Sequence, residues 1–209
     1  NFQNIYVLPP MGDEGTALGG AILKATQLNK DIGWLKDYVM PYFGDEYSRD
    51  QVKLALDTFD NIIVEDQNAT WPEEAAKSVA EGKICSLFHG RMEFGPRALG
   101  NRSIIGSPMI EDTRQRINST VKRRPSYQPF CPSILEEERE RLFKNSFSHK
   151  HMAIAFRMNE EFISDLPCAV HVDGTARPQF VEEQDNPGYY RYLKALKNIT
   201  GYGVSLNTS

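Results

Sequence analysis

Between His89 and Arg124 the sequence places eight basic side chains, Arg91, Arg97, Arg102, Arg114, Arg116, Lys122, Arg123 and Arg124, against three acidic ones, Glu93, Glu111 and Asp112. The whole chain carries a formal net charge of -4, so this excess is local and calls for a partner. Guanidinium groups fork onto phosphate or carboxylate oxygens through charge-assisted bonds, roughly twice as strong as neutral ones. Arg114, Arg116 and Arg123 read as a solvated basic face. Arg91, Arg97 and Arg102 differ: they sit among Gly90, Gly95, Pro96, Gly100 and Asn101, residues that shape backbone and let a ligand come close to it. The expectation is an anion site. It is not a P-loop, because no Gly-x-x-x-x-Gly-Lys-Ser/Thr pattern occurs, so nucleotide binding would rest on side chains.

A second polar stretch, His171-Val172-Asp173-Gly174-Thr175-Ala176-Arg177, reads as a strand ending in a tight turn. Asp13, ahead of a helix, reads by itself as an N-terminal cap. His149-Lys150-His151 has a cation between its imidazoles and no third ligand nearby. The three cysteines, Cys85, Cys131 and Cys168, form no CxxC and read as buried free thiols of a reducing cytoplasm. No apolar run approaches the roughly 20 residues of a membrane span, and the acidic balance argues against a general nucleic-acid binder.

These residues need a scaffold, and the chain supplies one. With 40 % hydrophobic residues it can bury a core. Strand 4–8 precedes a helix over 15–28, and residues 29–47 read as a linker. Ser48 caps a helix over 49–59. A short strand 62–64 follows, then a capping box Thr70-Trp71-Pro72-Glu73 opens a helix that stops at Gly82. Further on come strand 83–88, a long loop, helices over 111–121 and 136–144, and strands over 152–158, 168–173 and 178–182. Asn186-Pro187-Gly188 opens a helix ended by Gly201, and strand 202–206 closes the chain. Interleaved helices and strands indicate an α/β layered fold. Asn1 leading straight into an apolar run, and an end at Ser209 just past a strand, suggest a piece of a longer protein.

One run, Gly90-Arg91-Met92-Glu93-Phe94-Gly95-Pro96-Arg97-Ala98-Leu99-Gly100-Asn101-Arg102-Ser103-Ile104, resembles the signature of the NodU/CmcH-type carbamoyltransferases. The similarity continues through Arg116-Ile117-Asn118, Val121-Lys122, Arg124, Pro129 to Ser133, His171 to Arg177, Thr200-Gly201 and Leu206 to Ser209. The chain departs from that pattern at Gln128, where relatives often carry an arginine before the Pro-Phe pair.

The resemblance implies an open twisted mixed β-sheet of the YrdC-like type with flanking helices over 45–209, truncated at its end. Residues 1–44 would be the tail of an actin-like ATPase-type lobe plus a linker. It implies formation of carbamoyl adenylate from carbamoyl phosphate and ATP, then transfer to a hydroxyl of a sugar or natural product bound by the other lobe. Arg97, Arg102 and Lys122 would be catalytic, with Arg124 completing a clamp on phosphates. Arg91, Asn101, Ser103, His171, Arg177 and Asn207 would bind ATP or carbamoyl phosphate. For Arg91 and Glu93 a bracing ion pair is an equal alternative, and for His171 a merely hydrogen-bonded strand end. Asp13 matches the family's metal-binding aspartate, whose partner histidines belong to the other lobe, so no divalent metal is expected on this segment alone. Two other readings are a threonylcarbamoyl-adenylate synthase and a non-catalytic RNA-binding module.

Overall fold

The computed structural model describes residues 9–10, 12–36, 40–65 and 68–209; the strand expected over 4–8 lies outside them. Five strands form one mixed sheet: β1 (Cys85–Phe88), β2 (Arg102–Gly106), β7 (Val204–Thr208), β3 (Cys131–Leu135) and β6 (Gln179–Val181), in that spatial order. β7 is central and antiparallel to both β2 and β3, while β3 and β6 run parallel. A ribbon of β4 (Phe156–Arg157) and β5 (Thr175–Ala176) stands apart. Among the described residues no helix is long and apolar enough to cross a membrane.

Two helices cover one face of the sheet. In α6 (Pro187–Thr200) the buried residues Tyr189, Tyr192, Leu193 and Leu196 recur at helical spacing. They pack with Ala76 and Val79 of α3 (Trp71–Ala80) over Leu87, Ile105, Leu135 and Val181. The ends of α6 follow from local chemistry: the Asn186 side chain accepts from Tyr189 N, Pro187 fills the first turn, and Gly201 closes it at φ 83°. The opposite face carries Ile117, Phe130, Ile134, Phe143, Phe156, Met158, Phe180, Val204 and Leu206. Consecutive residues Ile134 and Leu135 thus serve opposite cores, as strand alternation requires.

Several sequence expectations are corrected. Residues 62–64 are not a strand: Ile63 is 92 % exposed and nothing among the described residues pairs with the run. The Thr70 capping box does not form, because a 3-10 turn over Asn68–Thr70 leads into α3 and the threonine hydroxyl makes no cap bond. Residues 168–173 are a turn rather than a strand, closed by His171 N donating to Thr175 O and Gly174 N donating to His171 O. The helix expected over 111–121 is one short α turn, α4 (Thr113–Arg116), running into a π-helical turn, Ile117–Lys122. The acidic helix over 136–144 is a 3-10 turn followed by α5 (Arg139–Leu142). The long loop after β1 hides β2, and β3 and β5 were not anticipated. By contrast Ser48 forms a full capping box with Gln51 at the start of α2 (Arg49–Leu56).

His149 makes folding pH-sensitive. It is 8 % exposed, and its Nε2 accepts a hydrogen bond from Ala153 N at 3.1 Å, which requires that nitrogen to be unprotonated. Burial, then the neighbouring His151, lowers its pKa to about 4. An unfolded histidine titrates near 6.5, so between these values the unfolded chain binds the extra proton and stability falls as pH falls. His89 and His171, both lowered chiefly by burial, act in the same direction. We expect the chemical-unfolding midpoint to drop between pH 7 and pH 5, and to drop less in His149→Gln, which cannot take up that proton.

Candidate anion site at the end of the sheet

Because β7 is antiparallel to its neighbours, its C-terminal end lies beside the N-terminal ends of β2 and β3. β6 is parallel to β3 and begins at the same end. The segments entering β2, β3 and β6 therefore converge there, although they are far apart in sequence. Arg97 arrives ahead of β2, Arg124 and Gln128 ahead of β3, Arg177 ahead of β6, and Asn207 stands near the end of β7. Together they line a hollow of about 130 Å³.

None of the three guanidiniums is paired with a carboxylate among the described residues. Elsewhere the cations find acids: Lys150 bonds Glu182 and Asp185, Lys194 and Lys197 bond Glu137, and Arg191 bonds Glu73. Arg97 Nε is buried without a hydrogen-bond partner, and so is Asn207 Oδ1. Arg124 Nε donates to Asn118 Oδ1 at 2.6 Å, with the guanidinium over the Phe130 ring. Burial draws the Arg124 pKa below the ordinary arginine value. Asn118 also donates to Ser126 O and Gln128 O, so one buried amide shapes the turn from the π-helix into β3. Uncompensated, partly desolvated cations around a small space make an anion site.

The Arg97 loop is held by a carboxylate. Glu93 Oε1 accepts from the backbone N–H of Leu99 (2.7 Å), Asn101 (2.8 Å) and Arg102 (3.2 Å), and its Oε2 from Arg102 N at 3.0 Å. Gly100 sits at φ 111°, and a Cβ there would meet the Tyr189 ring at 2.5 Å, so no other residue fits. Arg91 does not pair with Glu93; it donates to Tyr42 O and Phe43 O. The supposed linker is thus tied to the loop, with Gly44 N donating to Met92 O and Tyr42 OH to Leu99 O.

Not every expected site residue reaches the hollow. The Arg102 guanidinium donates to His89 O, Asn101 O, Asp45 O and Gly90 O and lies 3.8 Å over Phe88. With its donors committed to carbonyls, it ties strands and loops together instead of facing the hollow. Asn101 donates to Arg91 O and accepts from Asn186, and Ser103 Oγ accepts from Gly100 N; both are buried in the framework. Lys122 reaches the rim, its Nζ donating to Ser209 O. His171 Nδ1 contacts Thr175 Oγ1, which in turn donates to Asp173 Oδ1. This places the imidazole in the turn ahead of Arg177, with Nε2 buried and unpartnered. Asp13 is exposed and its side chain makes no cap bond to α1 (Glu14–Gln27). Among the described residues no three metal-ligating side chains gather around it or elsewhere.

Sequence reasoning missed the backbone N–H partners of Glu93, which it offered as a brace for Arg91, and the structural parts of Asn118, Ser133 and Gln179. A carboxylate four residues before Arg-Ala-Leu-Gly was a signal for the first; the others carry no local mark. Met152, which lines the hollow with φ 54°, has none either.

The family model described as "Carbamoyltransferase C-terminus" matches residues 76–209. The chain belongs to that family. An uncharacterized protein of Methanocaldococcus jannaschii is 61 % identical over 211 residues, covering 100 % of this chain and 35 % of its own length. Nodulation protein NolO of Bradyrhizobium diazoefficiens is 36 % identical over 214 residues, with 100 % and 38 % covered. The 3'-hydroxymethylcephem-O-carbamoyltransferase of Streptomyces clavuligerus is 34 % identical over 217 residues, with 100 % and 38 % covered. The chain thus spans between 35 % and 38 % of the length of these relatives. Within this carbamoyltransferase C-terminal segment the family match takes in Arg97, Arg124, Arg177 and Asn207, while Tyr42 and Asp13 precede it.

Hydrogen bonds to a charged group contribute about 1.5–3 kcal/mol. Glu93→Gln keeps the shape but turns one acceptor into a donor facing backbone N–H. We expect a loss of stability of that order, read as a lower chemical-unfolding midpoint, whereas Glu46→Gln on an exposed loop leaves the midpoint unchanged.

Proposed function

We propose that the hollow binds carbamoyl phosphate and that this chain serves the carbamoyl-adenylate-forming half of an O-carbamoyltransferase. The observation that carries the reading is the set Arg97, Arg124 and Arg177 around one small space with no carboxylate among them. The family membership supports carbamoyl transfer in general, and the likeness to the 3'-hydroxymethylcephem-O-carbamoyltransferase of Streptomyces clavuligerus supports a hydroxyl acceptor. A cavity of ~150 Å³ holds a molecule of benzene's size; carbamoyl phosphate is of that class, and the adenosine of ATP would lie outside. The mixed sheet with helices on one face is compatible with the YrdC-like fold we assign to it. The three free cysteines support a reducing, cytoplasmic setting.

In this reading the C–O bond of carbamoyl phosphate is cleaved by water to carbamate and phosphate. A carbamate oxygen then attacks the α-phosphorus of ATP, pyrophosphate leaves, and carbamoyl adenylate forms. The acceptor hydroxyl takes the carbamoyl group, loses its proton and releases AMP. Negative charge collects on phosphoryl oxygens throughout, and cations already in place stabilise it without reorganisation. Arg97 and Lys122 remain the catalytic candidates, with Arg124 and Arg177 holding phosphate. Arg102 acts through the framework that aims Arg97, and His171 through the turn that presents Arg177. In the full-length protein Asp13 would be one ligand of a divalent metal shared with the other lobe.

In the full-length protein, carbamoyl phosphate should be required for exchange of labelled pyrophosphate into ATP. Arg97→Ala should lower that exchange roughly a hundredfold or more with the fold intact by circular dichroism. Unchanged exchange in Arg97→Ala would remove the phosphate role. Exchange supported by threonine and bicarbonate instead of carbamoyl phosphate would select the threonylcarbamoyl-adenylate reading. Salt-sensitive RNA binding indifferent to ATP would select the RNA module.

A further inference from the structure

We infer that Asn207 reads the amide end of the carbamoyl donor, and that Ser133 and Gln179 hold it in the orientation that does so. The inference rests on the donor hollow proposed above. All three side chains are at most 3 % exposed, and their hydrogen bonds form a directed chain. Gln179 Nε2 donates to Leu99 O at 2.9 Å, and a backbone carbonyl accepts only. Its Oε1 must therefore face Ser133, whose hydroxyl donates to it at 2.8 Å. With its single proton committed, Ser133 Oγ is left to accept, and Asn207 Nδ2 donates to it at 3.1 Å. The second Nδ2 hydrogen goes to Ala98 O, also at 3.1 Å.

Two backbone carbonyls at the ends of this chain thus decide which way both amides point. The amide NH2 of Asn207 is fully used, and its Oδ1 is the atom that remains, buried and without a partner. A buried acceptor left unmatched is costly and uncommon in native proteins. Asn207 lines the same hollow as Arg97, Arg124 and Arg177. The site therefore combines cations for an anionic group with an acceptor that lacks a donor. Carbamoyl phosphate has both complements, a phosphate at one end and N–H bonds at the other. Acetyl phosphate has the same outline with a methyl in place of NH2, and inorganic phosphate has only the anion. Asn207 is accordingly a specificity-determining residue, and Ser133 and Gln179 are positioning residues that act through it.

The test measures the affinities of carbamoyl phosphate, acetyl phosphate and inorganic phosphate for the full-length protein by calorimetry. Carbamoyl phosphate should bind at least about tenfold more tightly than acetyl phosphate, and equal affinity overturns the inference without any variant having to fold. Asn207→Leu, of similar volume but without the amide, should bring the two affinities together while phosphate affinity changes less than about twofold. A folded Asn207→Leu that keeps the full preference also overturns it. Gln179→Leu, which frees the Ser133 hydroxyl, should narrow the preference in the same direction and leave phosphate affinity alone. Failure of inorganic phosphate to bind at all, or binding indifferent to Arg97→Ala, would instead undo the underlying reading of the hollow.

Discussion

Guanidinium groups gathered without a carboxylate between them repel one another, and the end of β7 is where this molecule contains that repulsion. Arg97, Arg124 and Arg177 come from three different segments, each anchored to a strand of the same sheet. None could be kept in place by attraction to an acid, because an acid would cancel the charge that the hollow displays. A neutral amide, Asn118, holds Arg124 instead, and one carboxylate is set behind the Arg97 loop. Glu93 accepts from backbone N–H groups, so its charge orders the peptide and leaves the arginines unpaired.

The polar framework beneath the hollow is closely connected. Leu99 O accepts from both Tyr42 OH and Gln179 Nε2, joining residues from three distant parts of the chain. Asn186, which caps α6, also donates to Asn101 and to Tyr42 OH. Burial raises the Tyr42 pKa, so its hydroxyl stays a donor at any physiological pH. The cap of a core helix, the segment over 40–45 and the arginine loop are one network. In a low-dielectric interior such networks strengthen when every member is satisfied. Among the buried atoms left without a partner, Arg97 Nε and Asn207 Oδ1 belong to residues that line the hollow.

Elements governed by nearest neighbours were legible in the sequence. Ser48 with Gln51, Asn186 with Pro187, and Gly201 each formed the cap or stop that its residue type implies, because the bonds involved span three or four residues. The run over 62–64 looked equally strand-like, yet a strand exists only with a neighbour to bond. Residues 168–173 failed for a related reason: their apolar character serves a core beneath a turn, where Leu166, Cys168 and Val170 pack. β2 and β3 were concealed because arginine, proline and serine in them obscure the alternation that marks strands.

For the site, residue types and their order already pointed to an anion site and to the carbamoyltransferase family, since charge excess and glycine placement are legible in the sequence. Which arginines line the hollow was decided only by the tertiary structure. Arg97 and Arg102 are five residues apart and alike in sequence, but the antiparallel pairing of β2 with β1, which sets Arg102 opposite Phe88, leaves the first ahead of the strand and builds the second into it. The first lines the hollow, and the second turns to backbone carbonyls and the Phe88 ring. Convergence of Arg124, Arg177 and Asn207 likewise follows from strand order, a long-range pairing that no local pattern encodes.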